Sequence, residues 1–229
     1  MFKDKSYDET LKIIQEGLWY LKDTTSEIAI EHLNSIAKKY EFTLNDTLQS
    51  IENKLNFSDC TGIYYFEANF NIFYSKWLRE QGNQFDNLIE RRERFFFYIL
   101  DRWFENRSGN TPRISRIKFM KHFVARKSGK NFYSDGWVPL YIGKARNDIF
   151  SSNKGLKFRI IEHIYADYRT TSDQLYSMRL NDLETTFNDV DFRVSYVKMD
   201  KFEEDYLYHL VYFIEKELRF RINPIIGKQ

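Results

Sequence analysis

The sequence predicts a mixed α/β chain, a small core of three strands with helices between and around them. Three observations carry that expectation. Short β-branched and aromatic runs occur at 63–67, 138–145 and 191–199, the last two with period-two alternation. Longer charged segments with apolar residues at helical spacing separate them. Aromatic residues make up 18% of the 229-residue chain and prolines number three, a composition that folds compactly and is far from that of a disordered or low-complexity chain.

Taken in order, residues 1–58 read as a helical extension. "SYDETLKIIQEGLWYLKD" places Leu11, Ile14, Leu18 and Leu21 on one face. "SEIAIEHLNSIAKKY" carries a second stripe with Thr25 or Ser26 as N-cap, and "TLNDTLQSIENKL" a third. The core, 59–229, opens with "TGIYYFEANF", whose β-branched and aromatic character predicts a strand from Ile63 to about Glu67. A helical and basic insertion follows at about 71–135, with a long helix in "FDNLIERRERFFFYILDRWFENR" and another through "RISRIKFMKHFVARK". In "WVPLYIGKARN", Val138, Leu140 and Ile142 alternate with Pro139 and Tyr141 until Gly143 and Lys144 break the pattern, where the chain is expected to turn. "LKFRIIEHIYADYR" is a helix, "DFRVSYVKM" the third strand, and "FEEDYLYHLVYFIEKELRFRI" the last helix. That helix stops before Pro224, which disfavours helical geometry at Asn223. There is no internal repeat, and nothing requires two independent domains.

Cys60 is the sole cysteine, so a disulfide framework and a cysteine-based zinc cluster are excluded and a reducing, cytoplasmic location is expected. No apolar run approaches a membrane span, and "MFKDKSYDETLK" lacks the hydrophobic centre of a signal peptide, so no membrane partner is expected. The net charge of +2 says little about partners, but its distribution says more. Between Asn106 and Ser134 there is no acidic residue, while Arg107, Arg113, Arg116, Lys118, Lys121, Arg126, Lys127 and Lys130 all fall there. This is either a solvated helix face or a phosphate-contacting patch.

Three common site types find no support in the sequence. "YIGK" lacks the glycine spacing of a phosphate-binding loop. His32, His122, His163 and His209 give no two-histidine metal motif at helical spacing. No Gly-x-Ser-x-Gly nucleophile elbow is present.

What remains is a constellation of four short segments: "GIYY" at 62–65, "YIGK" at 141–144, "RIIEH" at 159–163 and "EKELRFRINP" at 215–224. Arg159 and His163, four residues apart, share a helix face. Together the segments resemble the GIY-YIG nuclease family from about Thr61 to the C-terminus, apart from the insertion. The Arg-x-x-x-His pair is most similar to the type II restriction endonucleases of that family. The resemblance implies a core of a three-stranded antiparallel sheet flanked by helices, with Glu215, nine residues before Pro224, at the family's metal-binding position. It also implies a phosphodiester hydrolase acting on double-stranded DNA at a short specific site, with one Mg²⁺ or Mn²⁺ on Glu215.

In that chemistry Arg159 contacts the phosphate through its planar fork. Tyr64 and Tyr141 flank the attacking water, with one of them or His163 accepting its proton, and Lys144 adds a positive donor. Gly62, Gly143 and Asn223 are expected to shape the site, Gly143 by letting the backbone turn close to the phosphate. Arg113, Arg116, Lys118, Lys121, Arg126, Lys127 and Lys130 are the expected DNA contacts. Family members commonly carry an asparagine three residues after the proline, where this chain has Gly227. Cutting both strands implies a homodimer on DNA. The alternatives are a repair or homing-type nickase of the same family, or a non-catalytic DNA-binding protein that retains the fold.

Overall fold

Four strands pair antiparallel throughout: β1 (Lys38–Phe42), β2 (Gly62–Asn69), β3 (Trp137–Ala145) and β4 (Asp191–Lys198), in the order β1-β4-β2-β3. Six α-helices accompany them among the described residues: α1 (Leu48–Lys54), α2 (Asn71–Gln81), α3 (Leu88–Phe104), α4 (Arg116–Ala125), α5 (Leu156–Ile164) and α6 (Glu204–Ile222). The computed structural model describes residues 37–82, 85, 87–105, 112–125, 136–146, 155–165, 177–199 and 204–227, with the backbone alone described at 88, 123–125, 204–210 and 213. The mixed α+β class is as expected. The helices expected before residue 37 lie outside the described residues.

The sheet has four strands where the sequence predicted three. The extra one, β1, falls in the segment assigned to the second helix of the 1–58 extension. Tyr40 and Phe42 point inward between the exposed Lys39 and Glu41, a period-two pattern too short to stand out beside the preceding helical stripe. Phe42 pairs with Phe192 across the β1–β4 ladder and their rings stack at 5.7 Å. A strand from the N-terminal segment therefore closes one edge of the sheet, leaving β3 as the other edge.

The helical insertion is present as α2, α3 and α4, of which α2 was not anticipated. Asn87 caps α3 by accepting from the N–H groups of Ile89 and Glu90, and Phe95, Phe96, Ile99 and Trp103 form its buried stripe. Those rings join Phe70, Phe73, Trp77 and Phe119 in the main core, which continues across the Tyr64, Phe66 and Ala68 face of β2 to Ile160, Ile161 and Ile164 of α5. A second, smaller core lies on the opposite face, where Ile63, Tyr65 and Ile142 meet Val211, Leu218 and Ile222 of α6.

Two features of β3 depart from the simple alternation. The strand runs through Gly143 and Lys144 to Ala145, so the chain does not turn at the glycine. The register shifts between Phe66 and Glu67, whose partners are Tyr141 and Pro139, leaving Leu140 as a bulge. Leu140 and Tyr141 thereby both pack on the main core, and Ile142 turns to the α6 side. The free edge of β3 is covered by the chain after α6: the Ile225 and Ile226 N–H groups donate to the carbonyls of Pro139 and Leu140 at 3.0 and 2.9 Å. Ser115 N–H donates in turn to Ile225 O at 2.8 Å, which ties the start of α4 to the same edge. Among the described residues no helix is long and apolar enough to cross a membrane.

Candidate active site

The four sequence segments converge at the Ile142–Lys144 edge of β3. Tyr64 on β2 stands opposite Gly143, and Tyr141 lies diagonally from it on the same face, with the two rings 6.2 Å apart. Both meet His163 of α5: the Tyr141 and His163 rings are 4.7 Å apart, and Tyr64 Oη lies 2.9 Å from His163 Nε2. Arg159, one turn earlier on α5, brings its guanidinium beside the Tyr64 hydroxyl and pairs with Glu162. Glu215 approaches from α6 on the other side of the edge, with Oε2 3.1 Å from Lys144 Nζ and Oε1 2.9 Å from Arg219 Nε.

Local sequence explains each placement. Arg159 and His163 share one helix face, as their spacing requires. Glu215 and Arg219 stand in the same i, i+4 relation on α6. Arg219 donates to Ile142 O through Nε and Nη2, at 3.1 and 2.7 Å, and lies over the Tyr141 ring at 5.2 Å. It therefore uses the unpaired edge carbonyl of β3 to fix α6 against the site. Arg219 and Glu162 were not anticipated from sequence, although their spacings to Glu215 and Arg159 could have revealed them.

Gly143 has a different reason from the one expected. A Cβ at this position would lie 2.4 Å from both Cζ and Oη of Tyr64 and 2.8 Å from Cε1 of Tyr141. The missing side chain makes room for two tyrosines, and no turn is involved. Gly62 is likewise a packing glycine, since a Cβ there would lie 2.4 Å from Val197 O. Asn223 adopts φ +54° as the left-handed residue that ends α6, and its N–H donates to Arg219 O at 2.9 Å. Its carbonyl is 2.9 Å from Nε2 of the buried His122.

Proton positions follow from burial. His163 is 0% exposed, and burial, aided by the charges of Arg159 and Arg219, holds its pKa well below the usual histidine range. The ring is therefore neutral at pH 7. The Met178 N–H donates to its Nδ1 at 3.1 Å, which puts the ring's single proton on Nε2 and makes it a donor to Tyr64 Oη. His163 has no lone pair left for a water, so its expected alternative as proton acceptor does not fit this arrangement. Tyr64 is 1% exposed. Burial first, and the neighbouring Tyr141 second, raise its pKa far above that of an ordinary phenol, with Arg159 acting in the opposite direction. Tyr64 keeps its proton, and with His163 donating to its oxygen the hydroxyl hydrogen is available to another acceptor. Arg159 remains a cation: burial works to lower its pKa, but the Glu162 carboxylate and the hydrogen bond to Tyr64 act in the opposite direction and outweigh it.

Among the described residues no cluster of three histidine, cysteine or acidic side chains exists, so a metal caged by protein ligands has no place there. Glu215 is buried, with 12% of its side chain exposed at the edge of the sheet, and a single carboxylate of this kind fits a hard divalent cation that keeps most of its water shell. Oε1 is held by Arg219, itself anchored on Ile142 O, while Oε2 pairs with the Lys144 ammonium, which also lies 3.7 Å over the Tyr212 ring.

The expected DNA contacts divide. Arg116 lies against α3, paired with Glu93 and over the Phe97 ring at 5.5 Å. Lys118 and Lys121 face the C-terminal end of α6. Arg113 precedes α4, and Arg126, Lys127 and Lys130 lie outside the described residues. No protein-family model, curated protein or solved structure matches the chain.

Proposed function

We propose that the chain is a metal-dependent endonuclease of the GIY-YIG type that cuts double-stranded DNA, most like the type II restriction enzymes. The observation that supports this reading is the convergence of Tyr64, Tyr141, Arg159 and Glu215, from four separate segments, around one edge of the sheet. Phosphodiester hydrolysis needs an oriented water, a cation on the non-bridging oxygens and stabilisation of the leaving alkoxide. Arg159 supplies the guanidinium for the phosphate. Tyr64, which retains its proton, donates to the water or the phosphate and so orients the attack, with His163 as its positioning residue. Water adds to phosphorus and gives up a proton to bulk solvent, the bond to the sugar oxygen breaks, and that oxygen leaves as an alkoxide that takes a proton from solvent. Glu215 is the residue that would hold a Mg²⁺ or Mn²⁺, which when bound would supply charge neutralisation for the leaving group. Lys144, released from Glu215, can turn to the phosphate.

The test is incubation of the purified protein with phage or plasmid DNA and Mg²⁺ beside Glu215→Gln and Arg159→Ala. Discrete fragments are expected from the wild type, with a loss of about 10²–10³-fold for Arg159→Ala. Nicked circles alone from the wild type would favour a repair or homing-type enzyme.

The two ion pairs that occupy both oxygens of Glu215 favour a second reading, a non-catalytic DNA-binding protein in which this carboxylate is structural. In that case wild type and Glu215→Gln bind DNA alike, neither cuts it, and the substitution costs stability.

A further inference from the structure

A cavity of about 480 Å³ opens where α4 meets the end of α6, bordered by Lys118, Lys121, Arg219, Phe220, Asn223 and Gly227. Three of these residues are cations and none is acidic. Neither lysine has a carboxylate at ion-pair distance among the described residues, whereas other cations of the fold do, such as Lys76 with Asp189 and Arg116 with Glu93. Burial and the nearby Arg219 charge lower the pKa of Lys118, as expected for a cation held close to another without a counter-ion. Arg219 spends Nε and Nη2 on Ile142 and Glu215, while its Nη1 faces Gly227, 3.6 Å from where a Cβ would stand. Beside these cations stands Phe220, a ring 83% exposed. An exposed aromatic next to Lys118 and Lys121, which have no carboxylate partner among the described residues, and next to the Nη1 side of Arg219 suits an anion attached to a flat or sugar-like body.

We infer that this cavity holds a backbone phosphate of the DNA strand close to the scissile one, with Lys118, Lys121 and Arg219 on the phosphate and Phe220 against its nucleoside. The inference rests on the nuclease reading and adds a second subsite to it. Spacing agrees with a nearby position. Glu215 and Arg219 are four residues apart on one helix, about 6 Å along its axis at ~1.5 Å per residue. One strand of duplex DNA rises ~3.4 Å per nucleotide, so the Arg219 edge of the cavity falls about two nucleotides from the cut. Arg219 touches both places, so occupancy of the cavity and the position of Glu215 are linked through one side chain. The covering chain after α6 and the bond from Ser115 to Ile225 hold the lysines of α4 over this spot.

The experiment is a coupling measurement on full-length protein in Ca²⁺, with duplexes carrying single uncharged methylphosphonate linkages placed along the cut strand. In the wild type one linkage within two nucleotides of the cut should weaken binding about tenfold. In Lys118→Ala/Lys121→Ala binding of the unmodified duplex should already be about tenfold weaker, with its salt slope flatter by about 1, and the same linkage should cost nothing further. Phe220→Ala should weaken binding without changing the salt slope. Equal losses at every linkage in wild type and double variant overturn the subsite, and leave the nuclease reading to its own cleavage test. Absence of any DNA binding by the wild type overturns both.

Discussion

At the scale of single residues, Gly143 shows how closely the candidate site is packed. The atoms a Cβ would strike belong to Tyr64, itself enclosed by Phe66 and His163, so the ring cannot swing aside. Gly143→Ala should cost about 1–3 kcal/mol in urea unfolding, the usual range for overpacking, and disturb the tyrosine pair. Unchanged stability would mean that the pair is looser than described. His163 gives a second prediction. Its native pKa lies well below the ~6.5 of an unfolded histidine. As pH falls below ~6.5 the unfolded chain takes up a proton that the native state refuses, so stability decreases, by up to ~1.4 kcal/mol per pH unit for each such group. His122, also held low by burial, acts in the same direction. Urea unfolding from pH 8 to pH 5 should show this decline, and His163→Gln, though less stable overall, should show a shallower one. Identical slopes in the two proteins would argue against a neutral buried ring.

Much of the candidate site was legible at this scale through the family resemblance that Tyr64, Tyr141, Arg159, His163 and Glu215 carry in their short motifs, while spacing by itself fixed only that Arg159 and His163 share a helix face. The role of Gly143 was not. It depends on which residue stands opposite across the β2–β3 ladder, and a register is a tertiary fact. His163 was named as a possible base for the same reason: only the donor from Met178 and the complete burial reveal that both ring nitrogens are engaged.

At the scale of elements, most strands and helices follow from periodicity, and the exceptions have physical causes. β1 is five residues long, and its Tyr40–Phe42 alternation blends into a helical stripe. The α2 helix shows its stripe in Phe73, Tyr74, Trp77 and Leu78, yet it starts directly after β2 at Phe70 with no side-chain cap to mark the boundary. The bulge at Leu140 depends on pairing and leaves no mark in an alternating run. β1 yields a prediction at its own scale. Phe42 stacks on Phe192 and meets Phe66 edge-on, so Phe42→Ala should cost about 3–5 kcal/mol in urea unfolding, against under ~0.5 kcal/mol for the exposed Lys39→Ala. Comparable small losses at both positions would show that the strand contributes little to the sheet.

At the scale of the whole molecule, 35 basic residues nearly balance 33 acidic ones, so the DNA binding proposed above would have to come from where the cations stand. The β3 edge and the cavity beside it gather Lys144, Arg159, Arg219, Lys118 and Lys121 near one another, with Glu162 paired to Arg159 and Glu215 paired to Lys144 and Arg219. One such assembly can address one strand. A protein that breaks both strands of a palindrome in a single encounter needs two, related by the twofold axis of the DNA. The proposed function therefore predicts two chains per duplex in Ca²⁺ by sedimentation. It further predicts that pre-mixed wild type and Glu215→Gln give nicked circles in excess of what either protein alone produces, since a mixed dimer carries one competent site. A complex of one chain per duplex, with linear product rising in proportion to wild type and no added nicking in the mixture, would require a single site to cut both strands in turn and would rule out the dimer.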